Sequence, residues 1–91
     1  MQQDTITTSE FRKAFGEVLD TVLDGKQVVI TNHKKPWVTL APPGDSTDEQ
    51  ISAFELRLNI KVQLGKIHHS RKTCAVIRKG LVVAVIATCS T

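Results

Sequence analysis

The chain has 91 residues, 41% of them apolar and 23% charged, with a formal net charge of +3. That length makes one small domain, or one domain with a tail, and buries so modest a share of its surface that a second subunit can supply missing core. The composition excludes a fully disordered chain. No apolar run reaches the roughly 18 to 20 residues of a membrane span, and two cysteines, Cys74 and Cys89, are too few for a secreted disulfide scaffold.

The charge is unevenly spread. Residues 1–55 carry five Lys/Arg against all nine acids, a net of −4, whereas residues 56–91 carry seven Lys/Arg and no acid, a net of +7. Such a split suggests a tail with a polyanionic or acidic partner; a solvated basic face is the plain alternative. The polar start, MQQDTITTSE, has no signal-peptide character. The cytoplasm is the expected compartment.

In chain order, Asp4 to Ile6 can form a short leading strand. Phe11, Ala14, Phe15, Val18, Leu19, Val22 and Leu23 then recur at the spacing of one buried helical face. Thr7 with Glu10 has the capping-box form, so the helix should start near Thr8, with Gly25 as its left-handed stop. Gly16 weakens the middle and can split the element in two. Arg12 and Lys13 fall on the first turns, beside Thr7, Thr8 and Ser9. Cations and hydroxyls at a helix start suit phosphate oxygens or base edges. After Gly25, KQVVIT and WVTLA read as strands joined by NHKKP, which collects Asn32, His33, Lys34 and Lys35 in a polar turn. Pro42, Pro43 and Gly44 end this part.

The second half reads differently. GDSTDEQISAF suggests a linker and a short helix capped by Ser46 or Thr47. RLNIKVQLGKI alternates, with Leu58, Ile60, Val62 and Leu64 on one face and Arg57, Asn59, Lys61 and Gln63 on the other, which is a half-buried strand pattern. KIHHSRK reads as a basic loop. TCAVIRKGLVVAVIATC reads as a hairpin turning at Lys79-Gly80, pairing Cys74 with Val85 and setting Cys89 opposite Ser70, with the cysteines as buried thiols. LVVAVIA has no nearby charge and must be covered by its own domain, a second subunit or a partner. AVIRKGLVVAVIAT also echoes VVITNHKKPWVTLA, and Phe54 echoes Phe11. Two readings stay open: a degenerate tandem repeat building both halves of a pseudo-dimer, or ordinary sheet periodicity.

The opening ITTSEFRKAF, the periodic FGEVLDTVLDGK and then VVITNHKKPWVTLAP, in that order and spacing, resemble the N-terminal domain of the Phd/YefM antitoxins of bacterial type II toxin–antitoxin modules. The resemblance covers Thr5 to Pro43, a little under half of the chain. It implies a homodimer, or a higher even oligomer, whose paired N-terminal domains bind operator DNA and repress their own operon, with a C-terminal segment that folds onto a toxin. By position, Arg12 falls where the family places a DNA-contacting arginine, and Thr8 and Ser9 fall in the polar residues before it. Asn32 stands where relatives often carry an arginine, and Lys35 takes a place often held by a turn glycine. His33, Lys34 and Lys35 can compensate for the lost cation. The C-terminal half departs from the family, and its +7 charge would repel a basic toxin.

The expected fold is α+β: a β-α-β-β N-terminal unit with its helix on a small antiparallel sheet, then a short helix and a β-rich C-terminal part. The expected divisions are 1–43 for DNA binding and dimerisation, 44–56 for a linker and helix, and 57–91 for a basic β-rich segment. DNA binding falls to Thr8, Ser9, Arg12, Lys13, Asn32, His33, Lys34 and Lys35; partner binding falls to Leu58, Ile60, Val62 and Leu64. No enzyme chemistry and no cofactor is expected, since phosphate-loop, Ser-elbow and Cys/His nucleophile patterns are missing. His68, His69 and Cys74 lack metal-ligand spacing, so no metal is expected. Two alternatives remain: an interaction module or orphan regulator whose tail pairs with a partner strand, and nucleic-acid reading by the Arg57/Asn59/Lys61/Gln63 face as a β-ribbon.

Overall fold

The computed structural model describes residues 3–44 and 47–88. Among them the elements run β1 (Gln3–Thr7), α1 (Thr8–Lys13), α2 (Phe15–Leu23), β2 (Gln27–Asn32), β3 (Lys35–Ala41), β4 (Glu49–Ser52), α3 (Ala53–Leu58), α4 (Ile60–Ser70), β5 (Cys74–Arg78) and β6 (Leu81–Thr88). One six-stranded sheet takes them in the order β1-β2-β3-β6-β5-β4. The fold is therefore mixed α/β, and its sheet is larger than the small one expected. The C-terminal part is not a short helix followed by strands. Each half runs β-α-α-β-β, and the halves join where β3 meets β6.

Strand register makes the two halves equivalent. β1 lies parallel to β2, and β4 parallel to β5; β2–β3 and β5–β6 are antiparallel hairpins. A bulge interrupts the first hairpin between Ile30 and Thr31 and the second between Val76 and Ile77. Both hairpins close through two residues at positive φ: His33 (52°) and Lys34 (65°) in one, Lys79 (54°) and Gly80 (78°) in the other. At the seam Leu40 pairs with Ile86, flanked symmetrically by Thr39 with Ala87 and Ala41 with Val85. The two halves thus repeat one topology, element for element.

The helices repeat as well. Thr7 accepts from the Glu10 backbone N–H at 3.1 Å, and Ser52 accepts from that of Glu55 at the same distance. Each cap satisfies an N–H that the helix itself leaves free. Thr7 N–H also donates to the Glu10 carboxylate at 3.1 Å, completing the box. Each helical segment then breaks at the same place, Ala14 (φ −113°) and Asn59 (φ −139°). Chain direction survives the break, because Val18 N–H donates to Ala14 O and Gln63 N–H to Asn59 O, both at 2.9 Å.

The helical break falls at Ala14 rather than at Gly16. Phe11, Phe15, Leu19 and Val22 from the first pair, and Leu56, Ile60, Leu64 and Ile67 from the second, enter one apolar core with Val28, Ile30, Val38, Leu40, Val76, Ala84 and Ile86. Burying each such aliphatic side chain stabilises the fold by about 1.5–3 kcal/mol.

Residues 57–64 are thus helical, not a strand. The alternation of Leu58, Ile60, Val62 and Leu64 overlies a true helical spacing of Leu56, Ile60, Leu64 and Ile67, and burial follows the latter. Leu58 and Val62 are left exposed. The equivalent of Phe11 is Leu56, not Phe54, which is exposed. His68 and His69 end α4 rather than occupying a loop, and Arg71 caps it at φ 60°. Ser52, not Thr47, caps α3; Ser46 and Cys89 lie outside the described residues. Cys74 is buried as expected, but the bulge pairs it with Ile86 instead of Val85. The apolar LVVAVIA run lies in β6, paired by β5 over Leu81–Ile86 and by β3 from Val85 onward, so its second half is covered by the domain while Leu81 and Val82 stay exposed. No described helix is long and apolar enough to cross a membrane.

Candidate nucleic-acid interface

Of the first-half residues expected to touch DNA, all but Lys13 and Lys35 are brought together with residues from the second half. A surface depression of about 410 Å³ is bounded by Thr8, Ser9 and Arg12 of α1 and by Arg57 to Val62, spanning α3, the break and the start of α4. A second, of about 250 Å³, lies between Thr7–Ser9 and the Thr31–Lys34 end of the hairpin, with Lys61 on its far wall. A third, bounded by Arg12, Phe54, Arg57 and Leu58, joins the two arginines directly. Thr8, Ser9, Arg12 and Lys61 are shared between the first two depressions or carry the surface on into the third, so the three form one face.

That face carries Arg12, Arg57, Lys61, Lys34 and His33, and no acidic side chain borders it among the described residues. The absence of described acids from this border sets a local potential opposite to that of the first half as a whole. The neighbouring Glu10 is held in the Thr7 cap.

Individual placements refine the expected roles. Because α1 stops at Lys13, Arg12 and Lys13 occupy its last turn rather than its first, where the carbonyl end of the helix favours cations. The Thr8 hydroxyl donates to Thr31 O at 3.1 Å, fastening α1 to the sheet, and that of Thr31 donates to Ile6 O at 3.3 Å, tying β2 to β1. Ser9 is exposed and borders the face. Lys13 and Lys35 are exposed but outside the three depressions. Lys35 pairs with Asn32 in the strand register, and Lys34 takes the turn position that Gly80 holds in the second repeat.

Of the four residues expected at a partner surface, Ile60 and Leu64 are core, because they complete the helical stripe under the sheet; only Leu58 and Val62 are open. The Arg57/Asn59/Lys61/Gln63 set is no β-ribbon. Three of its members nevertheless reach the face from α3, the break and α4. They were visible in sequence through a repeated cap: TTSEFR and SAFELR share the capping residue, a glutamate three positions on and an arginine two beyond that.

The two hairpin turns differ in charge state. Arg78, the equivalent of Asn32, donates to Asp20 of α2 at 2.7 Å, tying the repeats together near the surface. On the other side, α4 packs on β3: His68 Nδ1–H donates to Trp37 O at 3.1 Å, and Gly65 lies against the indole.

Two β-α-α-β-β repeats share one sheet and one cationic face that no acid borders among the described residues. Residues 3–46 match the model of the antitoxin Phd_YefM, of the type II toxin–antitoxin system. Over those residues the chain is similar to the Phd/YefM antitoxins. Comparison with curated proteins and with solved structures gives no match.

Proposed function

We propose that this protein is an antitoxin-type regulator that binds operator DNA and represses its own operon. The carrying observation is the cationic face itself: Ser9, Arg12 and the His33–Lys34 turn meet Arg57 and Lys61 on a surface that no acid borders among the described residues. Arg12 and Arg57 supply forked donors for base edges or phosphates. Lys34, Lys61 and Ser9 supply backbone contacts that fix orientation. The family of the N-terminal half supports the antitoxin role. Toxin neutralisation enters the reading through that family alone, since Ile60 and Leu64 are core and Leu58 and Val62 border the cationic face.

The test is fluorescence anisotropy on the duplex upstream of its own reading frame, beside a scrambled duplex, at several salt concentrations. Preference for the upstream duplex is expected, with a slope of log K against log salt of about −0.9 per phosphate neutralised. Arg12→Ala should weaken binding by about 1–3 kcal/mol and blur the preference. Equal binding to both duplexes by the wild type would contradict operator recognition.

A further inference from the structure

We propose that one copy of this chain is a complete, two-headed DNA reader, in which Arg57 is the second repeat's counterpart of Arg12 and the target is a single continuous stretch of duplex with two unlike halves. This rests on the DNA-binding reading above.

The heads are equivalent by construction. Each starts from a capped turn, Thr7 with Glu10 and Ser52 with Glu55, and places its arginine two residues after the glutamate. Each follows an edge strand and precedes a helix break. The seam between β3 and β6 relates them by an approximate two-fold, since Leu40 and Ile86 pair with one another and are each other's equivalents. An arrangement of two reading heads otherwise requires two subunits. Here the seam is internal, so the covalent chain fixes it at any concentration.

The heads are close and unequal. Arg12 and Arg57 border a common depression, so they address adjoining base pairs, not half-sites a full turn apart. Where the first head carries Ser9 and Lys13, the second carries Phe54 and Leu58, which are 72% and 61% exposed. A phenylalanine and a leucine left open beside an arginine have no core to join in this chain. Against a groove wall they can pack on thymine methyl groups while the arginine reads a guanine edge. The backbone contacts are unequal too: the first turn offers His33 and Lys34 beside Lys61, whereas in the second Arg78 is held by Asp20. Charge complementarity selects the occupant, because the described residues bordering the face include cations and no acid. Size agrees as well. The longest extent of the molecule is 33 Å, about one turn of duplex.

The experiment selects bound duplexes from a random-sequence library with the full chain, then weighs the complexes by native mass spectrometry. The expected result is a non-palindromic site of about ten base pairs, thymine-rich on one side, carrying one chain per duplex. Arg57→Ala and Arg12→Ala should each weaken binding about tenfold or more, blurring opposite halves of the site. Lys66→Ala, the same charge change on α4 outside the face, should cost far less, and unfolding curves confirm that each exposed variant stays folded. Phe54→Ser with Leu58→Lys, which copies the first head into the second, should shift the selected site toward an inverted repeat. Two chains per duplex on a palindrome, with Arg57→Ala behaving like Lys66→Ala, would overturn this inference and leave DNA binding standing. Enrichment of no sequence at all would remove both.

Discussion

Leu40 and Ile86 lie opposite one another where β3 meets β6, and each occupies in its own repeat the position the other occupies in its own. Both are fully buried. The seam therefore welds two β-α-α-β-β units into one core, with α2 and α4 packed over it. Removing either side chain leaves a cavity at the same place. Leu40→Ala and Ile86→Ala should each destabilise by about 2–5 kcal/mol. In a double-mutant cycle they should be non-additive. Denaturant unfolding should show one transition in every variant, because neither repeat has a core of its own; separate transitions for the halves would contradict this.

Lys34 adopts φ 65° at a turn position where the equivalent residue is Gly80. A left-handed lysine costs roughly 1–2 kcal/mol relative to relaxed backbone, and such strain at a charged turn points to use. Lys34→Gly should therefore stabilise the fold by about 1 kcal/mol while weakening DNA binding and lowering the salt slope by about one unit. Thermal melts and anisotropy on the same preparation check both signs.

The Asp20–Arg78 pair, at 2.7 Å, is the one ion pair seen among the described residues, and both partners remain solvent-accessible. Screening limits its contribution to about 0–1 kcal/mol. Asp20→Asn should thus barely move the melting temperature, yet it releases a cation beside the second head. DNA affinity should rise, most at low salt. A loss of affinity would show that Asp20 positions Arg78 for binding instead.

Burial, with a smaller push from the Glu49 carboxylate, raises the Cys74 thiol above its ordinary value of 9.0. The folded chain then holds this proton more tightly than the unfolded one. Stability from the neutral thiol is complete below the unfolded value and falls as pH rises through the folded one. Above pH about 9, wild-type stability should fall more steeply than that of Cys74→Ala. Parallel curves would contradict the shift.

Much of the first repeat was legible because its signals agree. Thr7 and Glu10 form a box, Phe11, Phe15, Leu19 and Val22 mark one stripe, and QVVITN and KPWVTLA are β-branched runs around a polar turn. The second repeat was obscured by coincidence. Leu58, Ile60, Val62 and Leu64 alternate like a strand, yet Ile60 and Leu64 also lie on the helical stripe with Leu56 and Ile67, and burial under the sheet decides for the helix. The cap at Ser52 lies beyond the expected one at Ser46 or Thr47. Missing it hid the match between TTSEFR and SAFELR, and with it the pairing of Arg12 with Arg57. That pairing arises only when β3 and β6 meet, a long-range contact no local pattern contains.

The most direct test of the two-headed face is amide chemical-shift mapping of the 10.0 kDa chain as its selected duplex is added. The account predicts that Ser9, Arg12, His33, Lys34, Phe54, Arg57 and Lys61 move together, while Asp24, Lys26 and Lys66 stay in place. Shifts confined to Ser9, Arg12 and the His33–Lys34 turn, with Phe54 and Arg57 unmoved, would leave a one-headed reader and contradict it.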